Sequence, residues 1–146
     1  MNQAAPAIQD LARLLLALEA NRSEPAQEDM HVALSVFEKL RLSLSKLVGV
    51  AGYQALLVRA VALAKIETGW LESVRVSGDA RLEGFQEIIR QLPAEVVMEG
   101  SKTLLAQLLA LLILFIGEAL TLRLVGDVWP EARVEIMNSG SKETQA

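Results

Sequence analysis

Apolar residues recur at helical spacing through most of this chain. Ile8, Leu11, Leu14, Leu15 and Leu18 mark a first helix over about 5–20. Pro6 suits its first turn, where a missing N–H costs nothing. Residues 21–25, Asn-Arg-Ser-Glu-Pro, read as a loop. A second helix follows over about 28–48, with Met30, Ala33, Leu34, Phe37, Leu40, Leu44, Leu47 and Val48 on one face. Val36 and Leu42 fall on its outer side, and Gly49 is placed as its stop. The third helix, about 52–68, is apolar over more than half its girth, which predicts a central position.

The pattern then changes period. Trp70 and Leu71 read as a hydrophobic plug after Gly69. Ser73-Val74-Arg75-Val76-Ser77 alternates, and Ser77-Gly78-Asp79-Ala80 is turn chemistry. These residues predict a small hairpin-like or irregular insertion near 72–84. A short helix over 84–92 is stopped by Pro93, and a long helix should run over about 93–125. Between Leu104 and Ile116 only Gln107 is polar. Pro130 pushes Trp129 out of the helical region and ends regular structure. Residues 138–146 lack apolar anchors and are expected to be disordered. The fold class is therefore all-α: an antiparallel bundle of four main helices plus one short helix, in one domain over 1–137. The third and long helices should form its centre.

Composition narrows the chemistry. Of the 146 residues 52% are hydrophobic but only 4% aromatic, so the apolar mass is aliphatic and favours helices. Mean hydropathy is +0.34, high for a soluble monomer, and suggests that some apolar surface is buried against another chain. There is no Cys, which excludes disulfides, thiolate metal sites and cysteine nucleophiles. Net charge is −4 with scattered bases, so no basic patch invites nucleic acid. The opening Met1-Asn2-Gln3-Ala4-Ala5-Pro6 lacks a basic leader pattern, and the expected location is the cytoplasm.

Candidate chemistry is sparse. Glu28 and His31 have the Glu-x-x-His spacing of di-iron bundles, but His31 is the one histidine and the ligand set is incomplete. No Gly-x-Ser-x-Gly elbow and no phosphate-binding glycine loop is present. Glu19, Glu24, Glu28 and Asp29 surround what reads as an exposed loop, where acid–base work has no dry pocket. No catalytic residue, metal site or cofactor is expected.

Interaction residues are the better candidates. At 100° per residue, Gly100, Thr103, Gln107, Ala110, Leu114, Glu118, Thr121 and Val125 share one stripe of the long helix. The plain expectation is that this stripe faces solvent. The sharper one puts Gln107 and Glu118 at a helix–helix seam, where polar residues fix register. A buried Glu118 would then need a cation, and Arg59 on the third helix is preferred over Arg123. Trp129 is expected either to cap the bundle end or to anchor a partner.

These features predict a non-catalytic interaction or scaffold module that self-associates through aliphatic helix faces. Its partner is a second copy or another helical protein. One alternative is a membrane-active bundle that inserts its long apolar helix. The uninterrupted run is shorter than the roughly 20 residues a span needs, and Glu118 and Arg123 oppose it. Another alternative is a carrier holding an apolar small ligand in the bundle core.

Overall fold

The computed structural model describes residues 4–22 and 31–132. It is all-α: α1 (Pro6–Arg22), α2 (Val32–Glu67), a 3-10 turn (Gly69–Ser73), strands β1 (Arg75–Val76) and β2 (Leu82–Glu83), and helices α3 (Phe85–Ile89), α4 (Ala94–Ile116) and α5 (Glu118–Val128). Asn21 and Arg22, expected in the first loop, instead end α1, while the rest of that loop, residues 28–30 of the expected second helix and the 138–146 tail lie outside the described residues.

α2 is two helical arms, 32–48 and 50–67, joined at Gly49, whose φ of 82° and ψ of 160° are not helical. The stop expected there is correct, and the bend is sharp. Tyr53 Oη donates to the Phe37 carbonyl at 3.4 Å. On a straight helix those residues would stand about 24 Å apart. The second arm therefore folds back on the first. Tyr53 is wholly buried, and burial pushes its hydroxyl far up, so it stays neutral.

The expected continuous helix over 93–125 is broken. Gly117 takes φ 92° and ψ 157°, nearly the conformation of Gly49, and ends α4 while starting α5. Helical periodicity continues on both sides, so the pattern alone does not reveal a one-residue break. α5 turns back and packs on α4 and α2. The eight-residue stripe loses its phase at the break and is not one solvent face. Gly100, Gln107 and Thr121 are buried, whereas Leu114 and Glu118 are exposed.

α4 is the centre, packed against α1, α2 and α5. Leu104, Leu105, Leu108, Leu109 and Leu112 are all buried. The second arm of α2 is less central than its pattern predicts, because Val58 and Ile66 remain exposed. Val36, expected on the outer side, is fully buried, and Leu42 is exposed as expected.

The insertion is a two-stranded antiparallel hairpin with Arg75 opposite Glu83 and Val76 opposite Leu82. Leu71 is buried as a plug. Trp70 tilts against Phe85, with ring centroids 5.9 Å apart. It lies over Gly100 of α4, where a Cβ would stand 2.3 Å from the indole.

Gly100→Ala should therefore destabilise the fold by about 1–3 kcal/mol through overpacking, although alanine is the better helix former by about 1 kcal/mol. Thermal unfolding checks this. An unchanged or raised Tm would mean that Trp70 is not seated against α4.

Candidate interaction surface

Two charged residues are buried among the described residues, Glu19 and Lys102, and Glu19 is the one whose sequence position suggested an exposed loop. It lies at the end of α1 with 4% of its surface exposed. It follows Leu15 by four residues and Leu11 by eight, so it continues the apolar face of α1. That spacing was the signal for its burial.

Three donors, two from α2 and one from beyond α5, converge on Glu19. Lys39 Nζ of α2 donates at 2.7 Å. Ser35 Oγ donates at 2.5 Å. Trp129 Nε1, just beyond α5, donates at 3.1 Å. Burial pushes the carboxyl up, but the three donors and the Lys39 charge outweigh it and hold the group below its ordinary 4.5. Beside it, Arg22 donates to the Val128 carbonyl at 3.0 Å and pairs with Glu131 at 2.7 Å. The end of α5 is thus seated on α1 through these polar contacts, and Glu19 ties the same point to α2. Trp129 is fully buried and packs over the helix ends in this chain.

The other candidate residues are not brought together. Gln107 is 5% exposed and lines a small polar crease with Gln9, Glu67, Glu99 and Lys102. Glu118 stands exposed at the Gly117 corner, so the condition for pairing it with a cation does not arise. Arg59 is exposed as well. Among the described residues no ion pair joins Glu118 to Arg59 or Arg123.

His31 is the N-cap of α2: its Nδ1 accepts the Ala33 N–H at 3.1 Å. Half of its proposed metal motif, Glu28, lies outside the described residues. No group of three His, Asp or Glu with metal-ligand geometry occurs among the described residues.

Four of the eight exposed large apolar residues among those described lie at the two glycine corners. Leu47 (47% exposed) and Val50 (42%) flank Gly49. Leu114 (83%) and Phe115 (64%) precede Gly117. A Cβ at either glycine would meet nothing within 4 Å. Elsewhere, an open groove of about 290 Å³ lies between the start of α2 and the hairpin. Its floor includes Leu34, Phe37 and Leu82, and its rim carries Glu38, Arg81, Glu83 and Glu87.

Compared with family models, with curated proteins and with solved structures, the chain matches none.

Acid should weaken the fold in two steps. Burial holds His31 below its ordinary 6.5. Its neutral cap therefore contributes fully above that value and is lost as pH falls through the lowered one. Glu19 contributes above 4.5 and is lost as pH falls through its own lowered value. His31→Asn, which keeps a capping acceptor, should flatten the first step. Glu19→Gln should cost about 1–3 kcal/mol at pH 7 and make the second step shallower. Tm against pH for the three proteins reads both, and parallel curves would contradict the assignment.

Proposed function

We propose that this chain is a non-catalytic interaction module that self-associates through apolar surface at its helical corners. The observation that carries the reading is the exposure of Leu114 and Phe115 beside Gly117, with Leu47 and Val50 beside Gly49. Scattered single apolar residues are ordinary on a protein surface, but neighbouring large ones at a bare corner favour contact with another apolar surface.

Helical rise supports grouping the two corners. Thr68 and Trp70 lie against Gly100, and Glu67 lines a crease with Glu99 and Lys102. The end of α2 is thus beside the first half of α4. From residue 67 back to 50 is about 26 Å, and from 99 forward to 117 is about 27 Å. With the second arm of α2 antiparallel to α4, both corners come to one end of the molecule. The start of α1 lies at the opposite end, where Gln9 lines the crease with Glu67 and Glu99.

A second reading has its own observation. By length and composition Val32–Glu67 and Ala94–Ile116 each pass as a membrane span, although the first is divided at Gly49 into two arms. About half of the α4 window is buried as core, and Glu118 and Arg123 follow it immediately. The membrane reading is therefore kept second, because a buried core helix passes the same test.

Light scattering across a concentration series up to about 100 µM tests the first reading. The wild type should form a defined oligomer. Leu114→Asp with Phe115→Asp should weaken association at least about tenfold, the equivalent of 1.4 kcal/mol. Because both side chains are largely exposed, Tm should change little. A wild type that stays monomeric throughout would defeat self-association. Flotation of the wild type with anionic lipid vesicles would then favour the membrane reading.

A further inference from the structure

We infer that self-association proceeds by exchange of α5 between two copies, with Gly117 as the hinge. This deepens the self-association reading and rests on it.

The helical ladder reaches Gly117 from both sides. Its N–H donates to the Ile113 carbonyl at 2.9 Å, and its own carbonyl accepts the Thr121 N–H at 3.1 Å. One residue's φ and ψ therefore separate the corner from an unbroken helix over 94–128. Leu111, Leu112 and Leu114 before the corner and Glu118, Ala119, Leu120 and Leu122 after it are good helix formers, and no proline lies between 94 and 128. In the straight form glycine would sit in a helix interior, where it is tolerated.

The seat of α5 is specific and lies on other elements. Trp129 reaches Glu19 of α1, and Arg22 of α1 holds the Val128 carbonyl and Glu131. Thr121 and Val125 are buried beneath α5. A straightened α5 cannot reach its own seat, yet the α5 of a second straightened copy can fill it with the same contacts. Such an exchange needs no new complementarity in the seat.

Exchange also covers the bare corner. Leu114 and Phe115 lie three and two residues from the hinge and have no full cover in this chain. In the exchanged pair the two straightened segments around residue 117 cross, and these side chains meet their counterparts about a two-fold axis. A second copy is thus the occupant that the hinge, the seat and the apolar flank jointly fit. Gly49 has the same backbone conformation. Opening there would part the first arm of α2 from the second and break the Tyr53–Phe37 contact as well.

Two experiments test the exchange. Gly117→Ala strains the corner and favours the straight helix, so dimerisation should strengthen about a hundredfold, tenfold for each of two corners. The second uses the Arg22–Glu131 pair, whose side chains are 32% and 55% exposed. Arg22→Glu alone and Glu131→Arg alone each place like charges in their own seat. Mixed and exchanged, the two variants restore both pairs. Native mass spectrometry of the equimolar mixture should show heterodimer well above the statistical half. Statistical mixing of dimers, with no gain from Gly117→Ala, would overturn exchange while leaving surface-to-surface association standing. Absence of any dimer in the wild type and in every variant would defeat both.

Discussion

Two positive-φ glycines shape this molecule. At Gly49 and Gly117 the backbone leaves the helical region at a single residue and returns to it at the next. A side chain with a Cβ would cost roughly 1–3 kcal/mol in such a conformation, which is essentially confined to glycine. With the corners, two long aliphatic helices fold back and bury their faces on one another. Without them, Tyr53 would lie far from Phe37, and Trp129 would not reach Glu19. The central packing of α4 against three helices depends on both bends.

Much of the architecture could be read from hydrophobic spacing, because helical faces and caps are local properties. The all-α class, the hairpin, the Gly49 stop and the plug by Leu71 all followed from patterns within a few turns. The Gly117 corner did not. It lies at the end of an apolar run whose periodicity suits one helix or two. A glycine inside a helix costs only about 1 kcal/mol, so either reading was open. The break also undid the stripe that linked Gln107 to Glu118, since residues past a corner lose the phase of those before it.

The interaction residues show the same limit. Glu19 looked like one acid among several near a loop, and only its spacing from Leu11 and Leu15 marked it as inward-facing. Its partners Lys39, Ser35 and Trp129 come from α2 and from beyond α5, at separations that local patterns do not reach. Trp129 was open to two readings, and in the single chain its indole lies on Glu19. Buried polar groups of this kind add little net stability, but once satisfied they favour a single arrangement of the elements they join. The polar seat therefore defines where α5 docks, while Leu114 and Phe115 leave apolar surface at the hinge without full cover.

The central claim is that Gly117 turns the chain back on itself. Because the chain has no Cys, spin labels can be placed cleanly at Glu99→Cys and Asp127→Cys and their separation measured in the monomeric fraction. A folded corner puts the two backbones within about 20 Å, given helix axes 8–10 Å apart and the offset along them. A continuous helix puts them about 42 Å apart. The short distance is the one this account predicts, and a single long distance in the monomer would contradict it.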